Sequence, residues 1–570
     1  MGKSVAEVRA ELTAPGQLFE LEEVTALGRP TRVWKNAPPT LRSVLDLSSL
    51  HGDKTLIVYE DERYSFAEHY KRASAFARAL VDRFGIEKGD RVAIAMRNFP
   101  EWMFAFWGAA SAGAIVVPLN AWWTGPELEY GIKDSGARIL IVDEERAERL
   151  RPYSDLGLDS VIVARATRPL QEDELAWEEA IGDASEVAAP PDVALEPDDD
   201  ATIFYTSGTT GFPKGALGTH RNICTNVMSL AFGFMFAAER KGDGGGDAAA
   251  LVESASEMAT MLSVPLFHVT GCHAMMLSAV AFGTKLVIMH KWDPERGLEL
   301  IERERITTIG GVPSMVWQLL ESPKFAGADI SSVKSIGYGG APAPPELVRR
   351  IEEMFPGRIP TNGWGMTETS STCSTNSGVD YIARPDSCGP ILPICDAKIV
   401  DVEGDDLPSG GDATGELWVR GPNIVKGYWH KPEATAETFT DDGWLKTGDI
   451  ARIDEEGFIY IVDRAKDMVI RGGENVYCAE VEAALFEHPA VTDCAVFGIP
   501  HDVLGEEVAA AVELRPGASA TTEELQQHCR KRLASFKVPV KFWFWDSELP
   551  RNPAGKILKR DVRDQALAKG

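Results

Sequence analysis

Short β-branched runs that recur between helical stretches limit this chain's fold more than any other feature. Arg91–Met96, Ile115–Leu119, Arg138–Val142 and Ser160–Ala164 are four such runs, and helix-periodic segments such as Phe66–Phe84 lie before or between them. Strands that alternate with helices build largely parallel sheets with helices on their faces, so the first part of the chain reads as an α/β body. From Asp396 the texture changes to short strands and turns (Ala397–Val400, Gly415–Val419, Gly457–Ile461), a small β-rich subdomain. After Asp463 about 100 residues form an α+β unit, a size that folds independently. Helices are predicted there over Ala479–His488 and Thr522–Phe536, and strands over Val491–Ile499 and Val508–Leu514. The charged link Asp463–Asp467 is the hinge candidate, which divides the chain into residues 1–465 and 466–570.

A net charge of -28 disfavours nucleic acid and anionic membranes. An anion site in such a chain must gather its own positive charge. The eight cysteines are scattered with no C-x-x-C pair, as in a reduced, cytoplasmic protein. Two uncharged runs, Trp102–Trp123 and Met261–Thr284, are broken by glycines, prolines and histidines. A spanning helix wants about 20 mainly apolar residues, so both read as core pieces and no transmembrane segment is expected.

The β-prone run Ala201–Tyr205 leads into Thr206-Ser-Gly-Thr-Thr-Gly-Phe-Pro-Lys-Gly215. Glycines let backbone N–H groups approach an anion, hydroxyls add donors and lysine adds a point charge. The string also suits a surface turn, and it is not a Walker loop, because Lys214 follows proline. Gly337-Tyr-Gly-Gly-Ala-Pro342 follows a strand predicted at Val333–Ile336, so a flat ligand could approach its glycines. In Asn362-Gly-Trp-Gly-Met-Thr-Glu-Thr369, Trp364 offers a stacking face, Thr367 a donor to phosphate and Glu368 a hard oxygen ligand for Mg²⁺. Thr447-Gly-Asp449 presents an aspartate after a turn, which can accept from ribose hydroxyls. Asp463–Glu482 and Pro550-Arg-Asn-Pro-Ala-Gly-Lys556 complete the series.

In this order and spacing, from about residue 40 to 565, the motifs resemble those of adenylate-forming enzymes, in particular acyl-CoA synthetases. The resemblance implies a large N-terminal domain of α/β subdomains plus the β-rich subdomain, followed by a small mobile α+β domain. It implies that Thr206, Ser207, Gly208, Thr209, Thr210 and Lys214 hold the phosphates of ATP. Gly339, Gly340 and Ala341, with Asn362, Gly363, Trp364, Gly365, Met366 and Thr367, would surround adenine and the acyl group. Glu368 would bind Mg²⁺, and Asp449, Ile461 and Arg464 would receive the ribose. Lys466 would be the pivot, Gly472 and Gly473 would meet the pantetheine of coenzyme A, and Lys556 would contact the carboxylate and the α-phosphate. Cys478 stands where the family usually has proline.

The implied partners are therefore a small carboxylic acid, ATP and CoA, and a homodimer is compatible with them. His268, Val269, Val312 and Gly365 are the expected acyl-pocket residues. No acid stands in Pro265–His268 to hold an α-amino group. Gly365 occupies a position where acetate-specific relatives carry tryptophan, so the pocket should run beyond two carbons. A medium- or long-chain fatty acid is the expected substrate. An aryl or other bulky carboxylate, ligation to a carrier protein, a luciferase-like oxygenase and a non-enzymatic binding protein remain the alternatives.

Overall fold

The computed structural model describes residues 3–206, 213–242, 253–340, 343, 345–408, 410–411, 413–552 and 555–569. The glycine-rich run Gly242-Asp-Gly-Gly-Gly-Asp247 reads as a flexible loop, and all of it after Gly242 lies outside the described residues.

Two large sheets form the body. One has seven strands in the order Lys214–Thr219, Asp200–Thr206, Ile115–Pro118, Arg91–Ala95, Ile139–Asp143, Ser160–Ala164, Glu174–Ala176. All neighbours are parallel except the first pair, an antiparallel hairpin that brackets the phosphate-loop string and pairs Thr206 with Lys214. The other has eight strands, with a parallel centre and an antiparallel pair at each edge. The buried helix Pro100–Ser111 packs on Phe66–Arg78. One apolar cluster joins these helices to both sheets through Val92, Ile141, Leu262 and Leu286. Each such side chain contributes roughly 1.5–3 kcal/mol relative to exposure.

Local chemistry sets the element ends. Ser65 and Glu68 close a capping box that starts Phe66–Arg78. The chain stays helical to Arg83, but as a π turn, so the α-helix is shorter than the predicted Phe66–Phe84. The two uncharged runs are strands and short helices of this core. Among the described residues no helix is long and apolar enough to cross a membrane.

The β-rich subdomain is a six-stranded antiparallel sheet that includes Gly415–Arg420, Leu445–Ile453 and Phe458–Arg464. A smaller C-terminal domain carries a five-stranded sheet and the helices Cys478–Phe486, Thr522–Arg530 and Lys559–Ala568. The second of these was expected to reach Phe536. It ends early, where the N–H groups of Lys531 and Arg532 take the i→i−3 carbonyls of His528 and Cys529 and tighten the last turn. The whole is an α/β protein with a large N-terminal and a smaller C-terminal domain.

Candidate active site

A cleft of about 1800 Å³ runs between the large body and the C-terminal domain. Asn362, Gly363, Trp364, Gly365, Asp449, Ile461, Arg464, Lys466 and Lys556 all line it. Three segments far apart in sequence thus converge. The strand Ser335–Gly339 is parallel to Ile359–Met366, with Gly339 opposite Gly363. A Cβ on Gly339 would sit 2.6 Å from the Gly363 carbonyl oxygen, so glycine is obligatory at this approach. That strand lies two to three residues later than expected, and its glycines are part of it rather than after it. Gly340 follows in the left-handed region, and a Cβ there would come within 3.7 Å of Lys556 Cε. Ser314 donates to the Gly555 carbonyl oxygen at 3.3 Å, which ties the Lys556 loop to the body.

Asp449 is 2% exposed and lies directly across the ladder from Arg464. Trp364 Nε1 donates to Asp449 Oδ2 at 2.8 Å. Arg464 Nε is 2.5 Å from Oδ1 as an ion pair, but not aligned as a hydrogen bond, so Oδ1 has no hydrogen-bond partner among the described residues. Burial raises the Asp449 carboxyl above its ordinary range, and Arg464 opposes that shift. A buried acceptor beside a cation is what a ribose hydroxyl needs. Lys556 is pushed down to about 8, first by burial and then by Arg464. Burial also lowers Lys466.

Glu368 is 6% exposed in the turn Thr367–Thr369, and Tyr428 donates to its Oε1 at 2.7 Å. Among the described residues no group of three or more His, Cys, Asp or Glu could hold a metal. A single carboxylate suits Mg²⁺ that draws its remaining ligands from triphosphate oxygens and water. Ser370 and Ser371, next along the chain, both have positive φ. The Ser370 carbonyl accepts from Asn226 Nδ2 at 2.7 Å and lies 3.1 Å from His273 Nδ1. Strained non-glycine backbone of this kind persists only where its surroundings fix it.

A second cavity, of about 370 Å³, opens from Gly339, Gly340, Gly363, Trp364 and Gly365. Its far walls are Leu230, Phe234, Met258, Met275, Ala279 and Phe282, and no charged side chain lines it among the described residues. Val269 and Gly365 line it, as expected. The space at Gly365 has a further cause: a Cβ there would fall 1.5 Å from the Ser371 carbonyl oxygen. Val312 is placed differently from the expectation. It packs with Val264 and Met315, and a Cβ on Gly555 would meet it at 3.0 Å, so it supports the Lys556 loop. His268 is not part of the lining either. Burial, with Lys556 nearby, pushes its imidazole down to about 4, and its Nε2 has no partner among the described residues.

Lys214, near the end of the phosphate-loop string, begins the strand Lys214–Thr219, and its ammonium stands 5.1 Å from the Tyr428 ring centroid. Ser207, Gly208, Thr209, Thr210 and Ala341 lie outside the described residues. Met366 packs into a neighbouring apolar cluster. Gly472 and Gly473 form the turn between Val469–Arg471 and Glu474–Val476, and neither lines the cleft. Tyr428, His273 and Asn226 carried no sequence signal, because each acts through a contact with a residue distant in the chain.

A buried carboxylate oxygen without a hydrogen-bond partner and an enclosed lysine at one cleft, with the buried Glu368 on the turn that follows Trp364–Met366, fit the class of adenylate-forming enzymes that the motifs resemble. Family models agree: residues 48–429 match the AMP-binding enzyme model and residues 480–556 match the AMP-binding enzyme C-terminal domain. A long-chain-fatty-acid–CoA ligase of Bacillus subtilis (strain 168) is 34% identical over 92% of this chain and 94% of its own length. A feruloyl-CoA synthase of Amycolatopsis sp is 35% identical over 88% and 93%. The solved structure of ATP-bound MatB from Rhodopseudomonas palustris superposes with a TM-score of 0.77 at 30% identity, covering 91% of this chain and 98% of that one. The chain belongs to the AMP-binding enzyme family. Its reaction class is the ATP-dependent, AMP-forming ligation of a carboxylic acid to CoA.

Proposed function

We propose that the protein converts a medium- or long-chain fatty acid, ATP and CoA to acyl-CoA, AMP and pyrophosphate through an acyl-adenylate. The uncharged cavity that begins at Gly340, beside Lys556, carries this reading. At about 370 Å³ it lies toward the small end of the usual range for ligand clefts, about 300–1,000 Å³. A second charge on the acid, as in an amino acid or a dicarboxylate, would be buried there without a partner, which costs several kcal/mol.

In the first step a carboxylate oxygen attacks the α-phosphorus and pyrophosphate leaves. Lys556 neutralises charge on both reactants. Glu368 would hold the Mg²⁺ that shields the triphosphate, Thr206 and Lys214 would face the departing phosphates, and Asp449 with Arg464 would fix the ribose. In the second step the CoA thiol displaces AMP from the acyl carbon. The C-terminal domain, residues 466–570, would pivot near Lys466 to withdraw Lys556 and bring in the Gly472–Gly473 turn. All eight cysteines are buried and unbridged, which supports a cytoplasmic setting.

An aryl acid is the second reading. Ser278 lines the cavity and its hydroxyl has no hydrogen-bond partner among the described residues, so it could meet a phenolic substituent. A panel of fatty and hydroxycinnamic acids, scored by pyrophosphate release with and without CoA, tests both. Preference for saturated chains of eight or more carbons, unaffected by Ser278→Ala, supports the first reading. Preference for phenolic acids, lost in Ser278→Ala, replaces it with the second.

A further inference from the structure

The segment Gly421–Trp429 lies outside the predicted motifs, yet it is clipped to two of them. On one side Lys426 N–H donates to the Leu217 carbonyl at 2.9 Å, Leu217 N–H to Gly427 at 2.9 Å and Trp429 N–H to Gly215 at 2.7 Å. These bonds fasten it to the strand that begins at Lys214. On the other side Val425 N–H donates to the Glu368 carbonyl at 3.0 Å. Tyr428 stands between the two attachments, its backbone bridged to Ala216 and its ring edge against Phe439 at 5.8 Å.

The two ends of this side chain meet opposite charges. The hydroxyl donates to Glu368 Oε1 at 2.7 Å, and the Lys214 ammonium lies over the ring, 5.1 Å from its centroid. That separation is within the range for a cation–π contact. Oε2 of Glu368 takes no part in this bond. Both charges contact one side chain, the lysine over its ring and the glutamate at its hydroxyl; a closed Lys214–Glu368 pair would instead remove both from an incoming ligand.

We propose that Tyr428 is a positioning residue, holding the Glu368 carboxylate toward a triphosphate-bound Mg²⁺ while its ring keeps the Lys214 ammonium apart from that carboxylate and available to phosphate oxygens. This rests on the reading of Glu368 as the metal ligand. It assigns a separate task to each part of one side chain: the hydroxyl governs the metal and the ring governs the cation.

The test is equilibrium binding of a non-hydrolysable ATP analogue to the full chain, titrated with Mg²⁺ and repeated without metal. Tyr428→Phe keeps the ring and removes one hydrogen bond to a charged group. The half-saturating Mg²⁺ concentration should rise about tenfold, with metal-free analogue affinity unchanged. Tyr428→Leu removes the ring as well and should also weaken metal-free binding. Glu368→Gln separates the underlying reading from this one. If Glu368→Gln leaves the Mg²⁺ dependence unchanged, the metal assignment falls and this inference with it. If Glu368→Gln shifts that dependence but Tyr428→Phe does not, the positioning role alone is overturned. Tyr428→Phe is near-isosteric, and an unchanged melting temperature would confirm that the comparison is made on folded protein.

Discussion

Lys556→Ala removes the ammonium held against Gly340 in the cleft. Its contribution follows from distance and environment. Two unit charges about 4 Å apart at an effective dielectric of about 20 interact by roughly 4 kcal/mol. At about 1.36 kcal/mol per decade that is close to 10³ in rate, and loss of one preorganised donor to a developing charge costs a similar ~10²–10³. Pyrophosphate release from ATP and acid, without CoA, should therefore slow by about three decades. Thioester formation from supplied acyl-adenylate and CoA should stay near the wild-type rate, and an equal loss in both halves would refute the role. The depressed pKa sharpens the test. A lysine at about 8 is charged below that pH and loses its proton above it, so kcat/KM for the first half-reaction should fall about tenfold per pH unit beyond pH 8. Lys556→Arg keeps its charge, so its slower profile should stay flat to about pH 10. The same decline in both proteins would assign the titration to another group.

Two further outcomes follow from the geometry. Ala279→Trp fills the far wall of the apolar cavity, so kcat/KM for long acids should drop at least about tenfold, while acids of two to four carbons are spared; a uniform loss would remove the cavity from acyl recognition. Cys478→Pro deletes the N–H that donates to Asp463 Oδ2 at 2.5 Å. Proline is well accepted at a first helical position, so the fold should survive. Loss of a bond to a charged group, about 1.5–3 kcal/mol, should lower the first half-reaction relative to the second, and an unchanged ratio would show that this bond does not favour the arrangement described.

The α/β body was legible because its strands are short, β-branched and spaced by helices, and the element order in the chain followed that pattern closely. Within the candidate site, short motifs marked residues that do meet in the cleft, such as Trp364, Asp449 and Lys556. The site was not legible where the task depends on packing. Val312 has the composition of a pocket wall but supports the Gly555 backbone. Gly365 reads as space for a substrate, yet the Ser371 carbonyl alone forbids a side chain there. Tyr428 meets Glu368 across sixty positions of sequence, a separation at which local pattern carries no information. Helix ends moved by a few residues for a related reason: the turn at Cys529 is decided by hydrogen bonds, and periodicity does not register those.

Lys556 and the Gly472–Gly473 turn belong to one C-terminal domain, and only the lysine lines the cleft. In the mechanism proposed above these are two tools on one carrier, and they cannot work at the same moment. An enzyme built this way keeps count: supplied with acid and ATP but no thiol, each chain should release a single pyrophosphate and then stall, holding its anhydride. The amplitude of that burst equals the number of intact chains in the tube, so a preparation can be titrated for competent protein without knowing how fast any molecule of it turns over.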